Sequence, residues 1–173
     1  PDRAPARASR TVEAPFGAHT VPAGADADEA VSVFGPTRVD GVVRSDAVAV
    51  GGGTHVGAAG RVDGAAVAVL GRVVVEGSVG REAVSVLGGA TIDGSVGGEV
   101  VSVFGDVVLG PKAVVNGDVV VVGGRLRRDP AAVLHGREVT VFSLGMTEGI
   151  DGLTTWLKDC ALKLRLLSFT PGV

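Results

Sequence analysis

"VSVFGDVVLGPKAVVNGDVVVVGG", residues 101–124, is built almost entirely from valine and glycine. Apolar residues fall on alternate positions in short bursts, the pattern of strands. Between the bursts stand glycine and Asn116-Gly117, residue types that turn the chain through backbone angles others avoid. The stretch opens on Val101-Ser102-Val103 and closes past Val120-Val121-Val122, so it reads as one complete repeat and the start of the next.

The same V-x-V unit begins at residues 31, 48, 67, 84, 101, 120 and 139, in steps of 17 or 19. Glycine follows four residues after every start but the last, at Gly35, Gly52, Gly71, Gly88, Gly105 and Gly124. In the shorter units an aliphatic comes eight residues in (Val39, Val75, Ile92) and a valine twelve residues in (Val43, Val79, Val96), with glycine between them. The longer units delay the second aliphatic by two residues: Val62 follows Val56 across "GAAGR", and Val115 follows Leu109 across "GPKAV". The extra pair therefore always enters at one corner. Three short strands per turn, each turn stacked on the last at about 4.8 Å, make a single-stranded parallel β-helix. The spacing predicts an all-β, triangular solenoid of six to seven coils. One coil cannot bury its own open faces, so stacking is what makes the fold stable. Both valines of each V-x-V are expected inside, so that Val101, Val103, Leu109 and Val115 line the tube. The middle residue (Ser32, Ala49, Ala68, Ser85, Ser102, Val121, Thr140) is expected to face outward.

The tails break the period. Residues 1–28 are rich in Ala, Pro and Asp and read as a flexible linker, with "HTVPAGADADEA" as a candidate ragged first coil. The β-helix is placed at 29–145. Over 146–173 the pattern changes to helical spacing, with Ile150, Leu153, Leu157, Cys160, Leu164 and Leu167 near one face; it predicts an amphipathic helix over about 148–168 followed by a tail. No run is long enough to span a membrane, and no signal peptide is evident. The abrupt start "PDRAPARASR" and end "LRLLSFTPGV" predict that targeting segments lie outside these residues.

Composition excludes several classes. A formal charge of −3 with no basic stripe argues against nucleic acid as a partner. Cys160 is the sole cysteine, which rules out a disulfide framework or thiolate metal site. No cofactor, small-molecule substrate or catalytic residue is expected.

With its Val-Gly coils and N-G-D corners, "VSVFGDVVLGPKAVVNGDVVVVGG" resembles the bactofilins and their relatives, the polymer-forming cytoskeletal proteins. The likeness covers about residues 28–142. It implies a right-handed triangular β-helix, end-to-end polymerisation without nucleotide, and scaffolding at bacterial membranes. It carries no catalytic residues. The C-terminal "WLKDCALKLRLLSF" departs from the plain pattern and is similar to the juxtamembrane piece of membrane-anchored relatives. The expected partners are thus further copies of the chain, and a bacterial membrane reached through the C-terminal segment. The alternatives are a membrane-anchored β-helix that binds a partner or envelope polymer without polymerising, and, weakest, a hexapeptide-repeat enzyme of the acyltransferase or carbonic anhydrase type.

Five features stand out as candidate sites. His19, His55 and His135 are the potential zinc ligands, but their positions in the repeat differ, and solvated surface histidines are the expected outcome. Glu82, Glu99 and Asp118, with Asp46, precede the first strand of their coils and form a carboxylate corner, read either as solvated acids or as a cation site. Phe34, Leu70, Leu87, Phe104 and Phe142 follow V-x-V, interrupted by Gly51 and Gly123; the expectation is core or corner packing. Facing outward, they would instead mark a docking face for the C-terminal helix or a neighbouring protomer. The C-terminal helix is read either as an end cap over the last coil, which would block end-to-end growth there, or as an interfacial segment, with Trp156, Leu157, Leu164 and Phe169 as the candidate membrane or interface residues. Arg128 stands where earlier coils place an aliphatic, and is read as a coil loosening towards the end of the solenoid or as part of a small basic patch.

Overall fold

Each turn of the chain lays down three short strands, one in each of three seven-stranded parallel sheets, so the described residues form a β-solenoid of seven turns. The computed structural model describes residues 16–141. The expected C-terminal helix, and with it Phe142, Trp156, Leu157, Leu164 and Phe169, lies outside the described residues.

Sheet 1 holds the three-residue strands, from His19–Val21 and Thr37–Val39 to Leu126–Arg128. Sheet 2 holds two-residue strands, from Asp26–Ala27 to Val133–Leu134. Sheet 3 holds the four-residue strands, from Ala30–Val33 to Glu138–Val141. The first turn begins at His19, so the segment read as a ragged coil supplies paired strands to sheets 1 and 2.

Register is kept through both repeat lengths. Val67 pairs with Val48 across a 19-residue step, and Val84 pairs with Val67 across a 17-residue step. The extra residues sit where expected, between sheets 1 and 2, and have one structure throughout. Residues 22–25, 57–60, 110–113 and 129–132 each close a turn with an N–H donated to the carbonyl three residues back, at 2.7–3.0 Å.

The repeated glycine is fixed by backbone contact. A Cβ on Gly35, Gly52, Gly71, Gly88, Gly105 or Gly124 would overlap the backbone of the preceding glycine in the same column. Stacking at the strand spacing leaves no room for any side chain at this corner.

The core is one continuous column. Sheet 1 points Val39, Val56, Val75, Ile92 and Leu109 inward, and sheet 2 adds Val43, Val62, Val79, Val96 and Val115. Sheet 3 corrects the expectation from sequence. Its inward residues are Ala30 and Ser32, Ala47 and Ala49, Ala66 and Ala68, Ala83 and Ser85, all fully buried. The V-x-V valines, including Val101 and Val103, lie on the outside and are half-buried, exposed only in the last strand, whereas Leu109 and Val115 line the tube as expected. Branched side chains from two sides fill this narrow interior, so the third side admits mainly small residues. The buried hydroxyls are satisfied by carbonyls: Ser32 donates to Gly35 (2.7 Å), Ser85 to Gly71 (3.1 Å) and Ser102 to Gly105 (2.9 Å). Val100, Val119 and Val121 take larger inward positions in later turns.

The inverted phase makes a direct prediction. Ser85→Leu should overpack the tube and cost about 1–3 kcal/mol in urea unfolding, while Val84→Thr, one residue away, should stay within about 0.5 kcal/mol. The opposite ranking would put the valines back inside.

Candidate functional site

The outside of sheet 3 is the least ordinary surface of the described residues. Each strand turns two alternate side chains outward, and in all seven strands both are valine, from Val31 and Val33 to Val139 and Val141; in the last strand Glu138 and Thr140 are exposed as well. No charged group interrupts these outward positions. Sequence reasoning placed these valines in the core because hydrophobicity and β-propensity alone favour burial. The signal that could have found them was the paired run of small residues at the alternate positions, Ala47 with Ala49 and Ala66 with Ala68.

A ridge borders this face at the corner after V-x-V. Phe34, Leu70, Leu87 and Phe104 project outward and are 73, 59, 54 and 61% exposed, which corrects their expected core or corner packing. The reason lies in the backbone. All four have positive φ, between 54° and 60°, and this left-handed kink swings the side chain away from the tube. Gly51 and Gly123 hold the same kink at the same corner, with φ of 74° and 68°. Glycine adopts such angles freely, whereas a non-glycine residue held in a sparsely populated backbone region costs of order 1–3 kcal/mol. The Phe34 and Phe104 rings lean over the next glycine. Phe34 Cδ1 lies 3.1 Å from where a Cβ of Gly51 would sit, and Phe104 Cδ1 lies 2.9 Å from that of Gly123. Phe16 stacks on Phe34 at 6.5 Å between ring centroids.

Charge borders the opposite edge of the face. Glu29, Asp46, Ala65, Glu82, Glu99, Asp118 and Arg137 occupy successive turns just ahead of the sheet 3 strands. Glu82, Glu99 and Asp118 thus form one column, as the repeat implied. Two of its acids bind protein groups. Asp46 accepts from the Ala65 N–H (2.8 Å) and the Arg81 guanidinium (2.9 Å). Asp118 accepts from the Arg137 N–H (2.8 Å) and guanidinium (2.9 Å). Among the described residues, no group of three or more His, Cys, Asp or Glu side chains could hold a metal ion.

The histidines are dispersed. His19 is buried inside the first turn at 5% exposure, contrary to the expectation of a solvated residue. The start of the solenoid at His19 puts its ring on the inward side of sheet 1. His55 lies outside the same sheet, 3.2 Å from Arg38 and 3.7 Å from Glu76, and His135 follows the last strand of sheet 2. Arg128 does not loosen its coil: its strand stays paired with Val107–Leu109, while its guanidinium holds Glu138 (2.8 Å) and the Ala132 carbonyl (3.0 Å). An open groove of about 420 Å³ runs beside the ridge, lined by Leu87 and Phe104 on one side and by Arg72, Asp106 and Arg127.

Among the described residues no helix is long and apolar enough to cross a membrane. Searches against models of known families, curated proteins and solved structures found no match.

The Arg137 N–H and then its guanidinium hold the Asp118 carboxyl below its ordinary range. A depressed folded value stabilises the fold above the unfolded carboxylate range of about pH 4, and that contribution is lost as pH falls through the folded value. Asp118→Asn should therefore lower the melting temperature at pH 7, with the gap to wild type closing on acidification. A gap that does not change with pH would contradict this role.

Proposed function

We propose that the chain is a structural scaffold of the bactofilin-like type, without enzymatic activity: a rigid rod associated with a bacterial membrane and assembling end to end. The observation that carries this is the uniform stack itself. Among the described residues, seven turns in one register leave each of the three sheets ending in a strand with no further strand beside it, a template for another parallel strand. The last described turn also leaves Val133 (44%) and Val141 (47%) exposed, and only partly covers Leu126 and Leu134 against the core. A second rod meeting this end would continue both the hydrogen-bond ladder and the aliphatic column. Stiffness supports the same role, since each interior turn is hydrogen-bonded to the turns above and below it.

Membrane association is assigned to the C-terminal segment on its sequence alone. Trp156 and Phe169 suit headgroup depth, and Lys158, Lys163 and Arg165 suit lipid phosphates.

Two experiments follow. Electron microscopy of the purified chain should show filaments, and Leu134→Lys, which sets a charge in the terminal aliphatic column, should reduce them to discrete particles. Discrete particles from the wild type would instead favour a non-polymerising, membrane-anchored β-helix. In flotation with anionic liposomes, deletion of residues 156–173 should abolish binding; binding that survives deletion removes the membrane role from this segment.

A further inference from the structure

The valine face and its ridge serve no purpose in end-to-end growth, because they run along the side of the rod. We propose that they form a lateral, two-fold symmetric contact with a second copy of this chain, the two solenoids running antiparallel. The proposal shares with the preceding section only the identity of the partner.

Three observations converge on it. The first is the strain in the ridge. Gly51 and Gly123 form the corner without a side chain, yet four turns place Phe or Leu there in the left-handed region and more than half exposed. Large apolar residues held against both backbone preference and solvent exposure mark a surface that is covered in the working state.

The second is the order along the ridge. From one end it reads Phe34, Gly51, Leu70, Leu87, Phe104, Gly123. A two-fold axis in the plane of the face, passing between Leu70 and Leu87, lays Leu70 on Leu87 of the second copy. It also lays each phenylalanine turn on a glycine turn: Phe34 opposite Gly123, and Phe104 opposite Gly51. Each ring already leans over the glycine that follows it, so the rings of Phe34 and Phe104 from opposite copies come together, with glycine leaving space around them. The ridge is self-complementary, as an isologous interface requires. The valine pairs are uniform along the rod and fix no register; the ridge does.

The third is extent and charge. Six spacings of about 4.8 Å and a width of about five residues at about 3.3 Å give a plane of roughly 480 Å². A pair would then cover roughly 950 Å² before side-chain contour is added, below the range of stable interfaces and within that of weak, concentration-dependent ones. The acidic edge formed by Glu29, Asp46, Glu82, Glu99 and Asp118 disfavours an anionic lipid surface as the occupant. The two-fold also lays this edge along that of the second copy, Glu99 towards Asp46 and Asp118 towards Glu29, so like charge opposes the contact; Arg81 and Arg137, bound to Asp46 and Asp118, offset part of it, which keeps the dimer weak.

Sedimentation velocity of the full chain from about 1 to 200 μM tests this, spanning the affinities of weak to standard contacts. Carrying Leu134→Lys in all samples keeps end-to-end growth from contributing. The expected result is a reversible dimer. Leu70→Asn with Leu87→Asn should weaken it at least about tenfold, while the melting temperature holds or rises, because asparagine tolerates positive φ better than leucine. Val84→Lys, on an unstrained strand, should weaken it equally, and remains decisive if the asparagine pair lowers stability. A chain that stays monomeric over the whole range overturns the proposal, as does a dimer that neither variant weakens. Flotation with neutral phosphatidylcholine vesicles that Val84→Lys abolishes, with no dimer, would assign the face to lipid and also overturn it. Filaments without dimers defeat only this contact, and dimers without filaments defeat only the end-to-end reading.

Discussion

Backbone lying on backbone at the glycine corner is the contact on which the rest of the structure depends. Gly35, Gly52, Gly71, Gly88, Gly105 and Gly124 approach one another so closely that no Cβ fits between turns. The close approach holds each turn at hydrogen-bonding distance from the next. It also explains why the residue before this glycine turns outward. At that point the chain takes a left-handed kink, and whatever side chain it carries is delivered to solvent. The column that makes stacking possible thereby builds the exposed ridge.

Much of this was legible in the sequence. The two spacings of 17 and 19 gave the number of strands per turn, the stacking register and the corner that absorbs the extra residues, because all three follow from positions alone. The inside-outside phase of sheet 3 was not legible from hydrophobicity. Alternation of apolar residues with Ser or Ala is ambiguous when both kinds can be buried, and available volume decides between them. In this turn Ala83 and Ser85 take the inward side and Val84 the outward one, beside branched residues that already fill the other two sides; Val119 and Val121 show that the same side can also hold valine in later turns. The ridge was misplaced for a related reason: the kink at Phe34 and Leu70 is unusual for such residues, and Gly51 and Gly123 at the equivalent corner were its only trace in the sequence.

The outcome is a rod whose sides differ in kind. Sheet 1 shows solvent a mixed surface in which Arg38 is paired with Asp40 and lies beside His55. The outward positions of sheet 3 are valine throughout, bounded by a strained apolar ridge on one edge and by carboxylates on the other. A repeat protein normally varies from turn to turn on its outer surface while keeping its interior constant. Here the outer valines are as regular as the core, and the inward residues of sheet 3 range from alanine and serine to valine.

The four-residue turns between sheets 1 and 2 have a consequence for handling the molecule. Because these turns recur in four coils without disturbing the strands on either side, the fold tolerates variation in chain length at that edge. Ala58-Ala59 and Pro111-Lys112 are exposed at two such turns, away from the terminal strands and from sheet 3. A fluorescent reporter spliced in there would ride on the outside of the rod, leaving both ends and the valine side free for whatever they meet in the cell.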